Sequence, residues 1–367
     1  VYEYVQGDNS LLILLYGIAV LFICAAFICV WAGAVKSAYQ SQVCIEKNKP
    51  VTTFAEDIKS LFDKNLHKLL LTLPVGGILI FTILPLIFMI AMAFTNYSKV
   101  NSHLVLFDWV GLENFRQMFD VSGTFGKTFW SVLGWTIVWA VFATGLNYIL
   151  GMLLALLINR KGTKIKGFWR LIFILSIAIP QFVSLLVMRS MLSQDGIINV
   201  MLKNAGWIQK SLPFFSNVAW ARITVIVVNL WIGIPYTMMQ VTGILQNIPL
   251  ELYEAAEVDG AGPVIRFFKI TLPYMLFVTT PYLITTFTAN INNFNIVYLL
   301  TKGDPVLSGN TAGKTDLLVT WLYKMTVDYQ YYNLGAVIGI MTFVFLAIGS
   351  LLVYRRTKSY KDEEGFQ

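Results

Sequence analysis

Charge is scarce in this 367-residue chain: Asp, Glu, Lys and Arg together make up 13% of it, about half the share in a soluble globular domain. Hydrophobic types reach 57%, and the mean hydropathy is +0.67. So few charges cannot cover a water-facing surface of this size, which excludes an ordinary soluble enzyme and equally a disordered chain. Histidine is nearly missing. His67 and His103 stand alone, so a His-based metal site or a Ser-His-Asp triad has nothing to build on. The three cysteines, Cys24, Cys29 and Cys44, form no CxxC pair. Two sit in an apolar run, where Cys acts as a small hydrophobe, and no disulfide framework follows. Aromatics are abundant at 14%, with 10 Trp and 17 Tyr, which suits a protein with two membrane interfaces to anchor.

A membrane helix needs about 20 apolar residues. Seven runs qualify: 11–35, 69–94, 129–158, 168–192, 222–245, 273–300 and 334–354. The first has no basic flank before it and no A-x-A-like site after it, so it reads as a span rather than a signal peptide. Arg355, Arg356, Lys358 and Lys361 follow the last run and mark the C-terminus as cytoplasmic. Alternation then places 17 Lys/Arg inside and 9 outside. The densest group is Arg160, Lys161, Lys164 and Lys166, in a short inside loop. The excess of Lys+Arg over Asp+Glu, 27 to 20, is thus a topology signal and not a nucleic-acid footprint. Seven spans with a cytoplasmic end put Val1 outside, and one further helix upstream would restore a cytoplasmic start. Three regions result: 1–68, a membrane helix and an elbow; 69–354, the membrane core; and 355–367, a cytoplasmic tail. In the elbow, Thr53 and Glu56 form a capping box ahead of Ile58, Leu61, Phe62 and Leu66. An interfacial helix and a solvated linker helix fit this pattern equally.

The last six spans carry charge only near their ends, at Arg170 and Arg189 and at Arg222, the first residue of 222–245. Ion- and proton-coupled carriers place ionisable groups at membrane depth, so their absence argues against secondary transport and against a charged substrate. The spans do hold amides: Asn147, Gln181, Asn229, and Asn290, Asn292, Asn293 and Asn295 within six residues. A single Asn reads best as interhelical hydrogen bonding. Four so close together favour a wet cavity for a neutral, hydroxyl-rich ligand, because amides both donate and accept.

Inside loop 246–272 is unlike the others. Pro249 suits a first helical turn with Asn247 as a cap candidate, Glu251 and Glu254 suit the N-terminal half, Gly260 suits the C′ position, and Pro263 starts a second helix. A helix of about ten residues results, roughly 15 Å long, and Ala255 and Ala256 keep one face slim enough for a partner's groove. The run Glu254-Ala255-Ala256, three residues, Gly260, nine residues, Ile270, one residue, Leu272-Pro273 matches the EAA signature at all seven fixed positions. Here the chain resembles the membrane subunits of ABC importers.

The resemblance runs from about residue 54 to the C-terminus and is strongest to the larger membrane subunit of maltose and maltodextrin importers, in its Gram-positive form. It is carried also by Phe107–Phe115, Asn229–Tyr236, Asp259–Pro263, Asn292-Asn293-Phe294 and Thr315–Val319. Gly303-Asp304-Pro305 stands where the family often has Gly-Gly-Pro. The resemblance implies an all-α, polytopic bundle of the type I importer permease fold. It implies coupling to an ATPase through Glu254, Ala255, Ala256, Asp259, Gly260 and Gly262, and sugar contacts at Gln181, Asn229, Ile232, Gly233, Tyr236, Ala289, Asn290 and Asn293. Ile177 replaces a Tyr of the maltose subunit. The implied partners are a second permease subunit, two copies of an ATP-binding subunit, an extracellular lipid-anchored sugar-binding protein, a neutral oligosaccharide and membrane lipid. ATP and Mg would belong to the ATP-binding copies, with no cofactor in this chain. The expected location is the plasma membrane of a Gram-positive bacterium.

Two other classes make demands on the sequence. A secondary carrier or channel needs intramembrane charge or inverted repeats, and a membrane enzyme needs clustered His, Asp or Glu at depth. The sequence offers neither. Gly309–Thr315 imitates a P-loop but has three residues between its glycines instead of four and lies in an outside loop with no strand before it.

Overall fold

The computed structural model describes residues 7–51, 53–100, 103–160 and 162–356. Lys161 and tail residues 357–367 lie outside the described residues, so the expectations placed on them are not addressed. Among the described residues there is no strand beyond isolated bridges such as Thr95 with Trp109. Among the described residues, six helices are long and apolar enough to cross a membrane, or seven if one bent pair counts as a span. Chain contacts separate two compact units: residues 1–116 with 330–337, and residues 117–329 with 338–367. The first unit thus runs well past the division expected at residue 68, which followed topology rather than contacts.

In the first unit, α1 (Ser10–Glu46) outlasts the expected run by about three turns. Asn9 caps it by accepting from the N–H groups of Leu11 and Leu12. Helix α2 (Phe54–Leu61) begins with the expected capping box: Glu56 accepts from Thr53 N–H at 2.8 Å, and Glu56 N–H donates back to Thr53 Oγ1. The Thr53 N–H and then the Thr53 hydroxyl, both donating to it, hold the exposed Glu56 carboxyl below its ordinary value. Phe54 and Phe62 are exposed, as an interfacial helix requires. Helix α3 (Leu66–Ile78), a π turn over Leu79–Ile83 and α4 (Leu84–Met92) form one continuous span. The π turn falls just before Pro85, which lacks the N–H that an α-helix would use there. Beyond α4, Asn114 Nδ2 donates to the carbonyls of Ala93 and Thr95, and Asn333 Nδ2 donates to Asn114 Oδ1.

Short α5 (Glu113–Phe119) leads into the second unit. There α6 (Thr124–Asn159) is the central element. Trp135, Trp139, Ala140, Ala143, Tyr148, Met152 and Ala155 recur at helical spacing and are all buried. The expected span 168–192 is not one helix. It is α7 (Lys166–Ala178) and α8 (Gln181–Met191), bent by 87°. Pro180 explains the break: it offers no N–H and drives Ile179 to extended backbone, φ −78 and ψ 126. After α9 (Ile197–Asn204), α10 (Val218–Leu245) begins four residues before the expected 222. Asn217 caps it, so Arg222 lies within the helix and sets its guanidinium 4.3 Å over the Trp135 ring.

Next come α11 (Leu250–Val258), α12 (Pro263–Arg266), a π turn over Phe267–Thr271 and α13 (Leu272–Ile291). The expected run 273–300 also breaks. Helix α13 stops at Ile291, and α14 (Phe294–Leu300) starts afresh. Helix α15 (Leu318–Tyr323), a π turn over Lys324–Asp328 and α16 (Tyr332–Arg356) complete the order. Helix α6 packs along α10 and α13. Two buried clusters result, one around Trp139, Leu185 and Val228, the other around Met152, Met238 and Met275.

Between α14 and α15 the chain ties a polar knot. Asp316 is fully buried. Its carboxylate takes Lys324 Nζ at 2.6 Å, Gly313 N–H at 2.7 Å and Thr320 Oγ1 at 2.9 Å. Burial pushes this carboxyl up, against the pull of the ammonium and the hydrogen bonds. The P-loop-like stretch is built into the knot, where Thr315 bonds Thr301 at 2.9 Å and the Asp304 carbonyl at 2.7 Å.

Candidate functional site

A cavity of about 610 Å³ lies among α6, α7, α8, α10 and α13. Five amides (Asn147, Gln181, Asn229, Gln240 and Asn290) and nine hydroxyl side chains line it, and no lining residue is charged. The volume is in the range of small-ligand sites. A larger hollow of about 1030 Å³ is walled almost wholly by apolar side chains and offers no comparable recognition chemistry.

The break at Pro180 serves this wall. The Pro180 bend makes Gln181 the first residue of α8, and Gln181, Pro180 and Ile177 all face the cavity. Helix α10 brings Asn229, Ile232, Gly233 and Tyr236 onto one face within two turns. Helix α13 brings Ala289 and Asn290. Tyr236 is half exposed, while Asn229 and Asn290 are buried. Trp139 Nε1 donates to the Asn290 carbonyl at 3.0 Å, and Asn290 Nδ2 donates to Thr144 Oγ1 at 3.0 Å.

Seven of the eight expected sugar-site residues thus meet at one cavity. Asn293 does not, which corrects the expectation that Asn290 and Asn293 share a helix face. The helix ends at Ile291, and Asn293 is the N-cap of α14, its Oδ1 accepting from Ile296 N–H. The four clustered asparagines therefore split. Asn290 reaches the cavity and also bonds across helices. Asn293 caps, and Asn292 and Asn295 are exposed. Sequence reasoning missed Gln240, Ser176, Ser184 and Tyr282 in the wall. A single polar residue inside an apolar run has no spacing partner that would reveal which way it points.

Loop 246–272 folds as two short helices. Pro249, not Asn247, takes the N-cap position of α11. At the other end, Gly260 sits at φ +75, a conformation that glycine adopts without steric cost. Its N–H donates to Glu257 O at 3.1 Å, and Ala261 N–H donates to Ala256 O at 2.8 Å, the paired bonds of a Schellman cap. The Tyr253 hydroxyl meets Thr271 Oγ1 at 2.9 Å, and Glu257 pairs with Arg266 at 3.0 Å. Glu254, Ala255, Asp259 and Gly260 are exposed, with Ala256 and Gly262 half-buried beside them. Val258 is 89% exposed, an apolar knob beyond the expected set.

A polytopic bundle with broken helices around an uncharged polar cavity, and a rigid capped helix on a connecting loop, is the architecture of a membrane transport subunit. The chain belongs to the family described as binding-protein-dependent transport system inner membrane component, whose model matches residues 147–359. It is a permease subunit of an ABC importer and a multi-pass bacterial membrane protein. It is similar to the galactooligosaccharide transport permease GanP of Bacillus subtilis (strain 168), with 37% identity over 98% of this chain and 86% of that one. It is also similar to the maltodextrin transport permease MdxF of the same organism, with 34% identity over 97% of this chain and 84% of that one. The fold is that of type I importer permeases. A solved bacterial alginate ABC transporter, in complex with a pentasaccharide-bound periplasmic protein, aligns with a TM-score of 0.64 at 21% identity, covering 84% of this chain and 98% of that one.

Proposed function

We propose that this chain is the translocation subunit of an ATP-driven importer for a neutral oligosaccharide of the maltodextrin type, delivered by an extracellular lipid-anchored binding protein. The observation that carries this reading is the cavity wall: five amides and nine hydroxyls without a charge. Such a wall recognises hydroxyls by paired donors and acceptors and gives no counter-charge to an ion. Gln181, Asn229, Asn290 and Tyr236 bind the sugar hydroxyls, the Tyr236 ring lies along a sugar face, and Ile232, Gly233 and Ala289 complete the wall.

Helix α11 faces the cytoplasm in this reading. Glu254, Ala255, Ala256, Asp259, Gly260 and Gly262 present it to one of two ATP-binding subunits, which hold ATP and Mg and perform the hydrolysis. A second permease subunit completes the membrane pair. The C-terminus is cytoplasmic, and the location is the plasma membrane of a Gram-positive cell, as the basic residues and the Bacillus relatives suggest. A galactooligosaccharide is the second reading of the substrate. It is favoured by the 37% identity to GanP and by Ile177, an apolar wall residue where the maltose-type subunit carries Tyr.

The test is uptake of labelled maltotriose and galactotriose by proteoliposomes holding the full complex with its binding protein. Import of maltotriose, reduced several-fold by Tyr236→Ala, is expected. Preference for galactotriose selects the second sugar. Import of neither, or import of both at an undiminished rate by Tyr236→Ala, overturns the assignment of the cavity.

A further inference from the structure

Asn147 lies in the middle of α6, where a lone asparagine in an apolar run reads as helix-to-helix glue. The structure gives it no such bond. Its Nδ2 donates to the Ala143 carbonyl at 2.8 Å, one turn back on its own helix. That bond fixes the amide's orientation and turns Oδ1 away. Oδ1 is buried and has no hydrogen-bond partner, although the residue is only 8% exposed and lines the cavity. On the adjacent α10, Asn229 shows the complementary defect: it is 5% exposed, and its Nδ2 has no partner. A buried amide atom left unpaired destabilises the fold.

The packing around Asn147 is equally specific. A Cβ at Gly233 would fall within 2.6 Å of Asn147 Cγ and Oδ1. Glycine at 233 therefore contributes no group of its own. Its missing side chain makes the seat in which the Asn147 amide sits, one turn from Asn229.

We propose that Asn147 is a substrate-binding residue of this permease, accepting a hydrogen bond through Oδ1 from a ligand hydroxyl while Asn229 Nδ2 donates to one. The proposal rests on the reading of the cavity as the sugar site and deepens it. One unpaired atom only accepts and the other only donates. A carboxylate or phosphate satisfies Asn229 and cannot donate to Asn147. An ammonium does the reverse. A hydroxyl satisfies both, so this pair favours a hydroxyl over an ionised group at this position without any charged residue.

The experiment uses proteoliposomes of the full complex and whichever of labelled maltotriose or galactotriose the wild type imports, together with monodeoxy versions of that sugar. Asn147→Ala is expected to lower uptake at low sugar about three- to tenfold, the value of one lost hydrogen bond. It should also erase the wild type's discrimination against one particular monodeoxy sugar. Copurification of the ATP-binding subunit reports assembly. If Asn147→Ala fails to assemble, Asn147→Ser, which keeps an oxygen and the bond to the previous turn, is read in the same panel for altered discrimination. Gly233→Ala should show the same change of discrimination by displacing the amide. Uptake lost equally for every sugar, with discrimination intact, overturns the proposal and makes Asn147 a packing residue. Full uptake by Asn147→Ala while Asn229→Ala is impaired overturns it and leaves the cavity reading standing. Full uptake by both, or import of neither sugar by the wild type, removes the cavity reading as well.

Discussion

Two parts of the second unit handle buried polarity in opposite ways. In the knot between α14 and α15, Asp316 is fully buried and meets an ammonium, a backbone N–H and a hydroxyl. In the cavity wall, Asn147 and Asn229 are nearly as buried, yet each keeps one amide atom without a partner. Both regions are polar, and both lie against apolar helices. The difference is what the polarity is for. The groups of the knot find their partners within the chain, since an unpaired one costs stability. The two wall amides, which we read as kept for a ligand, each leave a buried atom unpaired, and the fold carries that cost.

The comparison breaks most visibly at the knot. Asp316→Ala leaves Lys324, whose side chain is 11% exposed, without its counter-charge. Breaking such a buried pair costs about 3–5 kcal/mol, read as a lower unfolding midpoint of the detergent-solubilised protein. A cost below about 1 kcal/mol would remove the knot as a structural device. Next in size is Gly260→Val at the end of α11. The site is open, so the penalty is conformational only, about 1–2 kcal/mol for a branched residue at φ +75. The protein should remain folded and reach the membrane while transport is lost. Normal uptake by this variant, and by Glu254→Lys, would separate the loop from coupling.

Asn290 sharpens the comparison because it belongs to both classes. It faces the cavity and also donates to Thr144. Asn290→Ala should therefore lower both stability, by about 1 kcal/mol, and sugar uptake. Loss of only one of the two would assign it to a single class. The smallest effect lies at the exposed capping box, where Thr53→Ala should cost about 0.5–1 kcal/mol of local helix stability, read by circular dichroism, and leave uptake unchanged.

Much of this was legible in the sequence. Apolar run length marks the membrane helices, because the bilayer sets that length. Gly260, Pro263 and Thr53 mark their turns and caps, because those conformations restrict residue choice locally. Seven wall residues were legible only through the resemblance or as isolated amides. The breaks at Pro180 and Asn292 are not legible: the apolar stretch Ile177–Ile179 leads straight up to Pro180, and the asparagines around Asn292 read as one polar helix face. Asn293 was misplaced for that reason, since a helix face was extended past the helix end. The knot was invisible, because Asp316 and Lys324 are eight residues apart in a segment with no periodicity.

The central claim, that the open amides of the wall exist for a ligand and not for the fold, is tested most directly by Asn229→Leu. Leucine has nearly the same size and removes the buried unpaired Nδ2. The measurement is thermal unfolding and sugar uptake on one preparation of the reconstituted complex. The account predicts an unfolding temperature that is unchanged or raised, because no internal hydrogen bond of Nδ2 is lost, together with uptake at low sugar reduced about tenfold. A lowered unfolding temperature with uptake intact would contradict it.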